Sequence, residues 1–405
     1  MTTQFTEAPI FDADQHMYET PDSLTKYLPE KYSRAVQFAQ FGRQTRIVIN
    51  NRVNDFIPNP TFERVAAPGA HEKFFAGENT EGLTLREMQG PGIDAPAATR
   101  NPVARVAELD RQGVVEVLNY PTLASLIEHA TADDPELMLA VIHALNQWML
   151  EHWTYNYENA VFPTPMISLQ DLGRACAELE WVAERGARVV YLSSAPASGF
   201  GGRRSIAQRE FDPFWTLMED TGIVAGFHQV VNRRYPVDVA ELDGDGETGG
   251  YFVPPGFGLS FHQDFAFRAL CTPRWQIADF IASLIGHRCL ARHPRLKVAI
   301  VEFGTDYVRP MVHHFQDAYE RTPQLFDEDP MVALRRNVFI HAFSEPDPLG
   351  LIELLGVDNT MWGSDFPHPE GMRDPLAFSE EIESLPLDAR KAVMGGNLEQ
   401  LLADA

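Results

Sequence analysis

Cysteine is scarce in this chain, and so is positive charge. Three cysteines in 405 residues (Cys176, Cys271 and Cys289) follow no metal-ligating or redox spacing. That excludes a disulfide framework and a cysteine-based zinc cluster, and makes a reduced, cytoplasmic location the simplest expectation. Against 57 Asp and Glu stand only 33 Lys and Arg, for a formal net charge of −24. Such a chain is ill suited to a nucleic-acid backbone or an anionic membrane surface. No apolar run approaches the ~20 residues that span a bilayer. The N-terminal MTTQFTEAPIFDADQH lacks the basic stretch and apolar core of a secretory signal. Also absent is a glycine-rich turn after the first strand, which a doubly wound nucleotide-binding sheet requires; DADQHMYET stands there instead. The expected partner is a small-molecule substrate.

What the chain does have is an alternation of short apolar runs with longer helical patterns. Hydrophobic residues make up 44% and charged residues 22%, the mix of a globular protein with a large core. Eight runs read as strands: Ala8–Asp14, Gly113–Pro121, Val161–Leu169, Ala187–Ser194, Gly222–Gln229, Leu296–Gly304, Asn337–Phe343 and Thr360–Asp365. They are continuously apolar, as strands covered on both faces in a parallel sheet must be. Between them, Asp134–Trp153, Leu172–Gly186 and Trp275–His293 carry helical spacing. This order predicts an α/β fold, a (β/α)₈ TIM barrel formed as a single domain over residues 1–405. Two stretches exceed a minimal barrel. One is Tyr18–Gly92, with a hairpin expected over Thr45–Ile57; the other is Val230–Gly258, rich in Gly, Pro and Asp. Long βα insertions cover the catalytic face of a barrel, and here they are expected to form a lid that sets specificity. Such an elaborated surface leaves a homo-oligomer open.

In a barrel the polar groups at strand C-termini carry the chemistry. The first strand ends in FDADQH, where Asp12, Asp14 and His16 are spaced by two and so are expected to point to one side. His228 ends the fifth strand, and Asp365 ends the eighth in TMWGSDFPHPEG. Taken singly, each is as readily a strand exit, a core histidine or a turn former. Taken together, Asp14, His16, His228 and Asp365 fall at the same end of one barrel. Two carboxylates and two imidazoles suit one divalent cation with a position left open. Glu302, closing the sixth strand, is costly to bury unless paired or coordinated. It reads equally as a general acid/base, a further ligand, or an ion-pair partner of Arg309. The loop ASGFGG (Ala197–Gly202) with Arg203 and Arg204 reads as mobile rather than as an anion site. His313 and His314 read as structural, since adjacent helical positions do not share a face. His341 is expected to be simply buried, and His368 either lines the pocket or belongs to a rigid PHP turn.

Three segments, FDADQHMYETPDS, HPRLKVAIVEFG and MWGSDFPHPEG, together resemble the amidohydrolase-related metal-dependent TIM-barrel enzymes. That group includes aminocarboxymuconate-semialdehyde decarboxylase and related aromatic acid decarboxylases. The resemblance runs from the first strand to GGNLEQLL, with the insertions outside it. It implies Asp14, His16 and His228 as metal ligands, and Asp365 as ligand or proton-transfer group. Two positions depart from the family pattern. Asp14 replaces a histidine, which makes the site harder and admits manganese or magnesium beside zinc, the ion expected first. Glu302 stands where many decarboxylase members keep a catalytic histidine.

The function expected from these residues is metal-dependent hydrolysis of a small, cyclic or aromatic amide, ester, lactone or carbon–carbon bond, with Asp365 or Glu302 moving the proton. Non-oxidative decarboxylation of an aromatic or unsaturated acid is the alternative. An inactive barrel that only binds a ligand is a third reading, which the intact ligand set disfavours.

Overall fold

A computed structural model describes residues 8–42, 44–54, 56–57, 59–197, 203–229, 274–342 and 347–403. The second expected insertion, Val230–Gly258, lies outside the described residues, as does most of ASGFGG. Among the described residues, eight parallel strands form two sheets. The first has the order β1 (Phe11–Met17), β7 (Glu116–Pro121), β8 (Val161–Pro163). The second runs β9 (Val189–Leu192), β10 (Val224–His228), β11 (Val298–Val301), β12 (Val338–Ala342) and β13 (Thr360–Trp362). All eight fall inside or beside the runs read from sequence, trimmed at their ends. Their residues are almost all buried, which explains the unbroken apolar character.

Backbone hydrogen bonds also join the edges of the two sheets. Ile167 N donates to Tyr191 O at 3.0 Å and Tyr191 N to Pro165 O at 2.8 Å. At the other seam, His16 N donates to Phe366 O at 2.7 Å and Asp365 N to Asp14 O at 2.8 Å. The chain's first and last strands are thereby fastened where β13 ends.

Helix starts follow from local chemistry. Asn101–Pro102, Asp134–Pro135, Asp329–Pro330 and Asp347–Pro348 each put an Asx side chain on an amide of the first turn and proline at the first helical position. The helix Pro135–Trp153 buries Leu137, Met138, Val141, Leu145 and Trp148 against the sheet. The helix expected over Trp275–His293 is instead broken into Arg274–Gly286 and Cys289–Arg292, because Arg288 adopts a left-handed conformation (φ 62°). Among the described residues, no helix is long and apolar enough to cross a membrane.

The first insertion builds its own antiparallel sheet from β2 (Val36–Phe41), β3 (Gln44–Ile49) and β4 (Arg52–Asn54), followed by the β5 (Arg64–Val65) and β6 (Ile93–Asp94) pair. The expected hairpin is present, with a third strand before it. The insertion reaches the segment after β13: His71 N donates to Pro369 O at 2.7 Å. Phe62 stacks on Tyr18 at 4.4 Å, and Tyr18 lies 5.9 Å from the His368 ring.

Candidate metal centre

The four residues expected to share a cation are brought together around His16, in the overlapping groups Asp14–His16–His228 and His16–Asp365–His368. His16 Nε2 lies 3.0 Å from His228 Nε2, and each is 3.3 Å from Asp14 Oδ1. Asp365 Oδ1 is 3.4 Å from His16 Nε2. Tautomers follow from the partners. His228 Nδ1 is 2.9 Å from Gln229 O and donates to it, which turns its Nε2 towards the cluster.

Each side chain is aimed by its strand end. Glu302 and Asp365 both adopt left-handed backbone (φ 65° and 55°) just past β11 and β13. That conformation is costly for a non-glycine residue, and it clusters where the surroundings enforce it for function. His341, expected to be merely buried, is part of the enforcement. Its Nδ1 accepts from Glu302 N at 3.1 Å while its Nε2 donates to Gly363 O at 3.1 Å. Gly363 has to be glycine: a Cβ there would sit 2.7 Å from His341 Nε2 and 2.8 Å from Asp14 Cβ. From the helix Pro102–Gln112, the fully buried Arg105 donates to Gln15 Oε1 at 2.6 Å and His16 O at 2.5 Å on β1, and to Ala98 O at 2.8 Å. These bonds fix the strand end that carries His16.

Two expectations need correction. Asp12 does not face the cluster with Asp14 and His16. The register of β1 slips between Asp12 and Gln15, and the Asp12 carboxylate is consumed by Asp14 N, Gln15 Nε2, Ser364 N and Ser364 Oγ. Simple alternation fails across such a bulge. The Glu302–Arg309 ion pair is also absent. Arg309 lies 3.5 Å from Asp347, whereas Glu302 Oε2 lies 3.3 Å from His228 Nδ1. His313 and His314 are exposed on the helix Val308–Arg321, and Arg204 pairs with Glu210.

Sequence reasoning undervalued the segment after Asp365. His368 stacks on His16 with ring centroids 3.9 Å apart and places Nδ1 2.9 Å from Asp365 Oδ1. Glu370, which sequence reading missed, belongs with Glu302, Asp365 and His368 to a group whose ligand atoms lie within 4.8 Å of one another. The only signal was its place two residues beyond His368 in PHPEG. Tyr120 and Tyr191 flank the His228 ring at 4.6 and 5.8 Å.

The electrostatics fit a cation. Burial works against the Asp14 charge, yet His228 and His16 more than offset it and hold the carboxyl below its usual range. Burial, then the Asp14 charge, pushes Asp365 well above its ordinary value. Burial likewise raises Glu302, against the pull of His228. Burial also drives His16 well below an ordinary imidazole. The recorded ion-pair partners of Asp14, Asp365 and Glu302 among the described residues are all histidines. Among the described residues, both Asp365 oxygens and Asp14 Oδ2 are buried without a hydrogen bond. Buried charge of this kind is stable only when paired or coordinated, and this donor set of two imidazoles and carboxylates suits a divalent ion.

The family model described as Amidohydrolase matches residues 15–403. This chain belongs to the amidohydrolase family. It is similar to a crystallised amidohydrolase from Mycobacterium avium subsp. paratuberculosis K-10, with 31% identity over 98% of both chains and a TM-score of 0.87. More distant likenesses show the fold alone. One is 5-carboxyvanillate decarboxylase from Sphingomonas paucimobilis, with 19% identity, 74% of this chain and 82% of that one covered, and a TM-score of 0.54. Another is a dihydroxybenzoic acid decarboxylase from Polaromonas sp. JS666 with bound manganese and the inhibitor 2-nitroresorcinol, with 14% identity, 98% and 97% covered, and a TM-score of 0.57. No curated protein matches the chain. As an amidohydrolase-family member the protein is an enzyme, a hydrolase or a carboxy-lyase.

Proposed function

We propose that this amidohydrolase is a divalent-metal-dependent hydrolase of a small cyclic or aromatic substrate, working at the mouth of a closed (β/α)₈ barrel. One observation carries the reading: His16 Nε2, His228 Nε2 and Asp14 Oδ1 approach one another at 3.0–3.3 Å and Asp365 Oδ1 lies 3.4 Å from His16 Nε2, with buried carboxylate oxygens left over. Closure is supported by the backbone bonds at both sheet seams. Asp14, His16, His228 and Asp365 would hold the ion, zinc first, with manganese or magnesium suited to the carboxylate share of the set. When bound, such an ion acidifies a water and polarises a carbonyl or carboxylate oxygen.

The chain's own residues supply the rest. Asp365, fully buried, would take the proton of the attacking water and return it to the leaving group. Glu302, whose carboxyl burial raises and which is held beside His228, would be the second proton carrier. The Tyr18–Phe62 stack and the insertion segment at His71 stand beside the His368 loop. They would wall the pocket and exclude water, the part expected of a lid.

Decarboxylation is the second reading, favoured by the fold likeness to decarboxylases. There the substrate carboxylate would occupy the open position and Glu302 or Asp365 would protonate the carbon. Two assays separate the readings: carbon dioxide release from a panel of aromatic acids, and hydrolysis of a panel of lactones, amides and esters. Hydrolysis without carbon dioxide is expected. A stoichiometric divalent ion is expected after purification, and Asp365→Asn is expected to lower turnover by about 10²–10⁴ with the fold intact. A chain that takes up no divalent ion ends the proposal.

A further inference from the structure

The ligand-type groups around Asp365 fall into two clusters besides the Asp14–His16–His228 set. We propose a second divalent-cation site formed by Asp365, His368 and Glu370, adjoining the Asp14–His16–His228 set and sharing Asp365 with it. This deepens the metal-dependent reading above and rests on it.

Three observations converge. First, Asp365 is fully buried, and among the described residues neither of its oxygens makes a hydrogen bond. One of them lies 3.4 Å from His16 on one side and 2.9 Å from His368 Nδ1 on the other.

Second, the direction of the His368 lone pair is set by Thr122. The Thr122 hydroxyl has a single proton, which it donates to Met17 O at 2.9 Å. Towards His368 Nε2, 3.2 Å away, it can only accept. Nε2 therefore carries the ring proton and Nδ1 turns its lone pair into the cluster. Nδ1 and Asp365 Oδ1 meet at 2.9 Å without a hydrogen bond between them. Two lone pairs so close require a positive charge nearby.

Third, one proton would answer for that pair alone. Among the described residues Glu370 Oε2 is buried without a partner in the same group, to which Glu302 also belongs. A multivalent cation meets all of these donors at once, and a set of two carboxylates with one imidazole suits manganese or magnesium. Glu302 keeps the proton-carrying role argued above, since its nearest partner is His228 of the first set.

The test is Mn²⁺ uptake by the full-length chain after chelation. Free ion is counted by electron paramagnetic resonance and bound ion by elemental analysis. Two equivalents are expected, the second altering the resonance of the first through spin coupling. Glu370→Gln is expected to remove one equivalent and the coupling while retaining the other. Thr122→Val, which removes no ligand but takes away the hydroxyl that orients His368, is expected to weaken the second equivalent about 10–100-fold, with Thr122→Ser restoring it. Circular dichroism of each variant checks the fold. Saturation of the wild type at one equivalent, or two equivalents retained by Glu370→Gln, overturns the second site alone. No uptake at all overturns it together with the metal-dependent reading.

Discussion

Glu19 is a single buried residue whose ionisation the fold opposes. It follows β1 and is fully buried, with Oε1 accepting from Leu123 N at 2.7 Å and Oε2 without a partner. Burial pushes its carboxyl from an ordinary 4.5 up to about 8, with nearby backbone amides pulling the other way. Between those values the folded chain keeps a proton that the unfolded chain has released, so rising pH favours unfolding. The contribution is fully present below 4.5 and lost as pH rises through 8. Glu19→Gln keeps an acceptor for Leu123 N and has no proton to lose. Its stability is expected to match wild type near pH 4.5 and exceed it by about 3–5 kcal/mol near pH 8, at ~1.4 kcal/mol per pKa unit. Urea unfolding across this range checks it, and parallel curves would refute it. The residue scale is also where sequence reading was most uneven. Asp14, His16, His228 and Asp365 were legible because strand ends are predictable from apolar runs. The places of His368 and Glu370 beside Asp365 were not, because they depend on how the chain turns after Asp365.

At the scale of elements, the site depends on how closely β1 and β13 approach. Asp365 N on Asp14 O and His16 N on Phe366 O join the strand ends, and Gly363 lets the backbones come together. Its missing Cβ leaves room for Asp14 and His341, which contact neighbouring parts of the centre. Gly363→Ala is therefore expected to force these strands apart, costing about 1–3 kcal/mol as an overpacked core does. It should also lower divalent-ion content in the folded fraction, read by elemental analysis beside thermal unfolding. Full ion content with unchanged stability would show that the strands do not need this approach. Strand positions were readable from sequence because burial on both faces leaves a continuous apolar signature. The slip in β1 that turns Asp12 away was not, since a bulge changes which residues face inward without changing composition. The break at Arg288 was hidden for a similar reason: the helical pattern runs on through it.

At the scale of the whole molecule, two different electrostatic effects would make stability depend on ions, and they can be separated. A net charge of −24 means that any salt relieves self-repulsion by screening. A bound divalent ion acts differently, because its proposed ligands come from both ends of the chain: β1 near the N-terminus, β10 in the middle, and the turn after β13. Removing it should loosen the seam between the first and last strands. At an ion concentration of ~1,000 Kd, linkage gives roughly 4 kcal/mol. For a chain of this length that is about 5 °C in Tm, from typical unfolding entropies per residue. Chelation at fixed ionic strength is therefore expected to lower Tm by about that much, and extra sodium chloride should not restore it. Hydrogen exchange should rise most in β1, β13 and the turn bearing His368, since local opening follows the lost cross-link. The same chelator should leave His228→Ala almost unmoved. If salt of matched ionic strength fully replaces the divalent ion, or if exchange rises evenly over the chain, screening accounts for the effect and the cross-link does not.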